Sequence, residues 1–295
     1  MRILVCPPRH FGIEYVINPW MKGQIGRIDP ALARSQWDGL IDGLAAFATI
    51  EEVAPREGSP DMCFTANAGL CAAGRVVPAR FRHPERRDEE APFIDWFAHD
   101  GFEVKPIPGE EPFEGEGDAL FQPGEALLWA GYGARTALET HAVLGQSFGV
   151  EVISLRLVDP RFYHLDTCFA PLPEGRLLYY PAAFDAPSRH AIERRVPASH
   201  RIAVDDEDAT GFACNALRLS DRLFVNRASP SLQRSLARWD LEIVTVPVDE
   251  FIKAGGGVKC LSLILDPTDF LGTHPAPSST SLPPRESGSR GSSTT

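Results

Sequence analysis

Residues 251–265 read "FIKAGGGVKCLSLIL": three glycines, a single cysteine, then an apolar run with the pattern of a core strand over 260–265. Glycine lets a backbone pass where a side chain would block it. Cys260 then reads in two ways, as a small buried hydrophobe of the strand or as a nucleophile at a pocket mouth. If the run is a strand, it is the last of a series, and that series sets the fold.

The other members are "RILVC" at the start, "ALLWAGY" (126–132), "EVISLRLV" (151–158), "RLLYYP" (176–181), "RLFVNR" (222–227) and "EIVTVPV" (242–248). All are short and rich in β-branched, aromatic or aliphatic residues. Between them, 30–50 and 230–240 carry apolar residues at helical spacing behind Pro or Ser, and 87–101 reads as a helix ending at Gly101. This alternation predicts an α/β protein with one domain over 1–272. From Thr273 the composition turns to Ser, Thr, Pro and Gly, which cannot bury enough apolar surface to offset ordering, so 273–295 is expected to be a disordered tail. The letters show no self-similar repeat.

The chain has 295 residues, 43% of them hydrophobic, and a formal net charge of -11. That sign argues against binding nucleic-acid phosphates or an anionic membrane and does not repel a cationic substrate. "MRILVCPPRHFG" lacks the apolar length of a signal peptide, and no run approaches a membrane span. Six cysteines, at 6, 63, 71, 168, 214 and 260, form neither a CxxC pair nor a tight framework. They are expected to be reduced thiols of a cytoplasmic protein, with no structural zinc. A homo-oligomer stays open.

Four segments combine polar side chains with glycine or turn context. "DMCFTANAGL" (61–70) carries Thr65 and Asn67; "PFEGEGDAL" (112–120) carries Glu114, Glu116 and Asp118; "DPRFYHLDTCF" (159–169) carries His164 and Asp166, two apart; the last holds Cys260. Cysteine, histidine and carboxylates are the parts of a thiol nucleophile with its acid/base and orienting acid. Singly, each has a plainer reading: a core thiol, a loop pair, a solvated acidic turn or a metal-binding loop. Convergence in space separates these readings, and spacing does not show it.

The ordered set "FTANAGL", "FEGEGDAL", "GYGART", "FYHLDTCF" and "GGGVKC" resembles the guanidino-group-modifying enzymes, which include arginine deiminases, dimethylarginine dimethylaminohydrolases and amidinotransferases. With "CPPRHFGIEYVINPWM" and the Asn of "FTANAGL", it is most similar to the arginine dihydrolase domain of cyanobacterial arginine dihydrolase/ornithine cyclodeaminase proteins, over nearly all of residues 1–270. The resemblance implies a five-bladed α/β-propeller (the pentein fold), five ββαβ units about a pseudo-fivefold axis with the site at the centre. It implies Cys260 as nucleophile, His164 as general acid/base and Glu114 as the carboxylate of the acidic motif. That motif has one residue more than the deiminases' EGGD, and the dihydrolase-like pattern points to Glu114 rather than Glu116. Asp166 would grip the guanidinium with Glu114, Asn67 is linked to a second hydrolysis, and Arg135 would hold the substrate carboxylate. Arg86, Asn18 and Thr65 complete the implied substrate contacts.

The implied activity is hydrolysis of guanidino C–N bonds, taking L-arginine to ornithine, ammonia and CO2 through a Cys-linked thiouronium. Deimination to citrulline and dimethylarginine hydrolysis are the alternatives, with an amidinotransferase or a non-catalytic arginine binder behind them. Arginine or a methylated arginine is the expected partner, and no cofactor or metal is expected. Without a cyclodeaminase portion, neither is NAD. Carboxylates fix a guanidinium plane bidentately, and a nearby cation favours thiolate. The three glycines would clear room for the flat substrate beside Cys260.

Overall fold

The computed structural model describes residues 1–267 and has a mixed α/β fold. The tail expected over 273–295 and the domain end at 272 lie outside the described residues. Five three-stranded sheets carry the backbone. In each, the central strand pairs antiparallel with one neighbour and parallel with the other. A parallel pair needs a long crossover, and in every sheet a helix supplies it.

The first sheet centres on Arg2–Val5, with Leu263–Ile264 antiparallel and Thr49–Glu52 parallel beyond the helix Pro30–Ala45. The second runs Gly69–Ala72, Arg75–Pro78, Glu103–Val104, with helix Glu90–His99 in its crossover. The third is Ala119–Phe121, Leu127–Tyr132, Glu151–Arg156, joined through Thr140–Phe148. Phe169–Leu172, Arg176–Tyr179 and Arg201–Ala203 make the fourth, around Ala186–Arg195. The fifth is Leu217–Leu219, Arg222–Val225 and Glu242–Thr245, around Pro230–Ala237. A β-β-α-β order thus runs along the chain four times, and the first sheet has the same arrangement with its antiparallel strand supplied by Leu263–Ile264, without a repeat having been read in the letters.

Local chemistry explains the helix starts. Asp29 accepts from the N–H groups of Ala31 and Leu32 ahead of Pro30, and Ala33, Trp37, Leu40 and Leu44 bury one stripe of the helix that follows. Ser229 caps Pro230–Ala237 in the same way, accepting from Leu232.

Several boundaries differ from the sequence reading. The helix expected over 30–50 stops at Ala45, and Thr49–Glu52 becomes the parallel edge strand. The 87–101 helix starts as a 3-10 turn at Pro84 and is α-helical over Glu90–His99. The strand expected over 260–265 is only Leu263–Ile264, because Leu261 N–H bonds Gly257 and Ser262 N–H bonds Lys259. Cys260 therefore stands on a turn, not in a strand.

That placement recurs. Ahead of the first strand of three other sheets the chain makes 3-10 turns at Thr65–Ala68, Gly115–Gly117 and Leu165–Thr167. The 65–68 turn packs on the 115–117 turn, and this one on 165–167. The Ala66 N–H donates to the Cys260 carbonyl at 3.1 Å. Among the described residues no helix is long and apolar enough to cross a membrane, no group of three or more His, Cys, Asp or Glu is placed to hold a metal ion, and all six cysteines are free and buried.

Candidate active site

The turns bring the four segments together. His164 Nε2 lies 2.7 Å from Glu114 Oε2, which also receives Arg135 Nη1 at 3.0 Å. The other carboxylate oxygen of Glu114 accepts the Arg82 N–H at 3.1 Å. Burial opposes ionisation of Glu114, yet Arg135 and His164 outweigh it and hold the carboxyl well below its ordinary range. Burial drives the His164 imidazole down to about 4 against the pull of Glu114. At neutral pH this is a neutral histidine held by an anion, and it can accept a proton.

Glu114 was expected to grip a guanidinium with Asp166. Its Oε1 accepts from Arg82 and its Oε2 faces Arg135 and His164, which places it against the histidine. Glu116, its rival in the acidic motif, lies apart: it pairs with Lys259 Nζ at 2.6 Å and accepts the Ile264 N–H. Gly117 permits the close packing of this turn, since a Cβ there would lie 2.4 Å from Asn67 Nδ2 and 3.2 Å from the His164 ring.

The Cys260 thiol donates to Asp166 Oδ2 at 3.3 Å. Burial and the Asp166 charge both push the thiol pKa well up. Burial raises Asp166 to about 7, opposed by Lys259, Cys260 and Asn215. Asp166 Oδ1 is buried without a hydrogen-bond partner among the described residues, as are Asp61 Oδ1 and Asn67 Nδ2. Asp61, Asn67, Arg86, Arg135, Tyr163 and Cys260 line one pocket, with Ile17, Asn18, Met21, Phe64, Ala254 and Gly256.

The other expected contacts are placed as follows. Arg86 clamps Glu89 through Nε and Nη2, at 2.9 and 2.7 Å, and donates to Asn67 Oδ1 at 2.8 Å, which turns the Asn67 amide nitrogen away from it. Arg135 also donates to the Ile17 carbonyl and lies over the Tyr163 ring. Asn18 caps the turn Pro19–Met21 and donates to the Ala254 carbonyl, so it ties two walls of the pocket together. Thr65 gives its hydroxyl to the Leu4 carbonyl at 2.9 Å; like His164 and Asp166, it stands behind the residues that line this pocket.

The glycines do not make room in the expected way. A Cβ on Gly256 would lie 2.2 Å from the Phe64 ring, and one on Gly257 2.7 Å from Asn215 Oδ1. Gly255 has φ +88 and sits against the Tyr163 hydroxyl and Asn18. Side chains fill the space they free, and one of these, Asn215, hydrogen-bonds Cys260. Two of the site's residues escaped the sequence reading. Asp61 heads the 61–70 segment with nothing in its neighbours to mark it; Tyr15 donates to its Oδ2 at 2.9 Å and leaves Oδ1 for the pocket. Asn215 contacts Cys260 directly.

A larger apolar cavity of about 110 Å³ lies on the far side of the Glu116–Lys259 pair. Its charged lining is that pair and Arg218, so it carries no acid/base set comparable to His164 and Glu114.

The bifunctional arginine dihydrolase/ornithine cyclodeaminase ArgZ of Synechocystis sp. is 49% identical over 263 residues, which cover 89% of this chain and 37% of that protein. The chain thus spans little more than a third of that relative's length. The N(G),N(G)-dimethylarginine dimethylaminohydrolase of Mycobacterium tuberculosis is 36% identical over 90% of this chain and 86% of its own. The crystal structure of the N-terminal domain of ArgZ bound to substrate superposes with a TM-score of 0.89 at 48% identity, covering 90% of this chain and 98% of that one. A variant of the same domain, solved with a reaction intermediate covalently bound, gives 0.88. The model of the eukaryotic N,N dimethylarginine dimethylhydrolase family matches residues 26–265, and the chain belongs to that family.

Proposed function

We propose that this chain is a cysteine-dependent hydrolase of guanidino C–N bonds that takes L-arginine to ornithine, ammonia and CO2. The observation that carries the reading is the meeting of the Cys260 sulfur with Asp166 beside the His164–Glu114 pair, in a site where two carboxylate oxygens and one amide N–H have no partner among the described residues. We further infer that the five β-β-α-β units close into a five-bladed α/β-propeller about the site; the contacts between successive turns support this.

In this reading the oxygens of Asp166 and Asp61 receive the guanidinium N–H groups, and Arg135 and Arg86 attract the substrate carboxylate. The entering cation favours the anionic forms of both Asp166 and Cys260, which burial alone disfavours. The thiol proton passes to His164 as sulfur attacks the guanidinium carbon, giving a neutral tetrahedral adduct. His164 returns that proton to the leaving nitrogen, so ammonia departs and an S-linked thiouronium cation remains. Water activated by His164 then adds, and the C–S bond breaks to a ureido group.

Asn67 distinguishes the second round. Its unpaired group is a donor, which a guanidinium cannot use and a ureido oxygen can. Holding that oxygen would present the ureido carbon to Cys260 again, releasing a second ammonia and, after water addition, a carbamate that loses CO2. The relatives support the chemistry, since a substrate complex and a covalent intermediate are known for the ArgZ domain. The family match favours one other reading, hydrolysis of dimethylarginine.

Counting ammonia released per arginine consumed, with identification of the carbon product, tests the proposal. Two ammonia with ornithine is the expected result. One ammonia with citrulline refutes the second round, and turnover confined to dimethylarginine replaces the substrate.

A further inference from the structure

Asn215 is fully buried and has no part in the steps above. It stands two residues ahead of Leu217–Leu219, as Asn67 stands two ahead of Gly69–Ala72. The letters echo each other: residues 64–68 are "FTANA" and 212–216 are "FACNA". In both turns the asparagine N–H donates to the carbonyl of that phenylalanine, at 3.1 Å. The side chains then diverge. Among the described residues Asn67 leaves its amide nitrogen without a partner, whereas Asn215 uses its amide fully.

Asn215 Oδ1 accepts the N–H groups of Lys259 and Cys260, at 2.9 and 3.2 Å. Its Nδ2 donates to the Asp166 carbonyl at 3.1 Å and to Cys260 Sγ at 3.1 Å. Two donors and two acceptor sites are all an amide has. One side chain therefore fixes the backbone on both sides of the reacting pair and reaches the sulfur itself.

We propose that Asn215 is a positioning residue for the cysteine reaction, clamping the Cys260 turn against Asp166 and donating an N–H to the sulfur as a thiolate. The role rests on the reading of Cys260 as nucleophile but not on which guanidine is its substrate. The surroundings otherwise offer the sulfur little. Asp166 faces it at 3.3 Å, and the neighbouring Lys259 gives its ammonium to Glu116 and the Ser262 carbonyl. Across the pocket lie Arg86, Arg135, Asp61 and Tyr163, with Arg135 paired to Glu114 and Arg86 to Glu89. His164 is held by Glu114. Burial and Asp166 raise the thiol pKa; the Gly257 N–H and Asn215 pull the other way.

Asn215→Asp keeps the size and the acceptor oxygen but replaces the N–H facing sulfur with a second carboxylate oxygen. Iodoacetamide alkylation of Cys260, followed by peptide mass spectrometry across pH on the full chain, reads thiolate formation with no substrate present. A charge-assisted hydrogen bond corresponds to a rise of about 1–2 pH units in the alkylation midpoint and a ten- to hundredfold fall in kcat near neutral pH. KM should move less, because Asn215 does not line the pocket. Asn215→Ser, which retains a hydroxyl donor, should raise the midpoint by a smaller amount, and it takes the same measurement if the Asp variant does not fold. An unchanged midpoint in a folded variant, with or without lost activity, would reduce Asn215 to packing and overturn the proposal. A raised midpoint in a chain that does not turn over arginine supports it, and the arginine reading alone then fails.

Discussion

Replacing Asp166 with asparagine should make the protein more stable relative to wild type as pH rises. Asp166 is wholly buried, one oxygen has no partner among the described residues, and its pKa rises from 3.8 to about 7, chiefly through burial. An acid whose folded pKa is raised contributes stability that is complete below 3.8 and lost as pH climbs through about 7. A rise of roughly three pH units, at about 1.4 kcal/mol for each, gives about 4 kcal/mol between pH 4 and pH 8. Asp166→Asn has no such titration. Its melting temperature relative to wild type should climb by on the order of 10 °C over that range, at ~2–4 °C per kcal/mol for a chain of this size. The other perturbed groups, His164 and Glu89 among them, are common to both proteins and largely cancel in the difference. Thermal unfolding of both proteins at several pH values between 4 and 8 reads it directly. A second arm adds arginine in a Cys260→Ser background: at a hundred times Kd it should stabilise by about 2.7 kcal/mol, and adding Asp166→Asn should abolish this. A variant-minus-wild-type difference that stays flat across pH would show that Asp166 titrates as an ordinary acid, and the account of substrate-assisted ionisation would fall with it.

Glu114→Gln removes the charge that holds His164 and leaves Arg135 without its anion. It should lower kcat by about 10²–10⁴ and cost about 3–5 kcal/mol of stability, seen in parallel by steady-state kinetics and denaturant melts. Gly256→Ala sets a Cβ 2.2 Å from the Phe64 ring. The ring has to move, at about 1–3 kcal/mol, and since Phe64 lines the pocket, Tm and activity should fall together. Asn67→Ala should leave the first ammonia release in place and suppress the second, so that citrulline accumulates in a timed product analysis.

The parts of the site that could be read from the letters are those whose chemistry is carried by residue type and order. Cys260, His164, Asp166 and Glu114 stand in motifs, and the structure gathers them. The choice between Glu114 and Glu116 was less accessible, since both are acids in one turn; it depends on which faces His164 and which faces Lys259. Asp61 was hidden for a different reason. Its value lies in an oxygen left unpaired after Tyr15, forty-six residues away, has taken the other. Asn215 left a trace in the F-x-x-N-A echo, which is too short to be read as a repeat without its strand context. Helix Ala186–Arg195 was missed because only Ser188 and Ile192 are buried in it, which leaves almost no apolar stripe to detect.

The site's polar atoms divide into two groups. Glu114, Glu116, Arg86, Lys259 and Asn215 are satisfied by protein partners and hold the turns in register. Asp61, Asn67 and Asp166 each keep one buried atom without a partner among the described residues. An unsatisfied buried group costs about 1–3 kcal/mol, so three together are a large fraction of a domain's net stability of about 5–15 kcal/mol. A fold that pairs Arg86 and Lys259 so thoroughly a few residues away shows no general shortage of partners. Trp37 Nε1 and Asp118 Oδ2 are also without a partner among the described residues, but at the Cys260 site three such atoms lie on neighbouring turns and their chemistry is mixed: two acceptors on acids whose burial favours the neutral form, and one donor on an amide. A cation alone would satisfy the acids and leave the amide unmet; a ureido group alone would do the reverse. A substrate that passes from one to the other in place meets each in turn, which is the physical case for two hydrolyses at one cysteine.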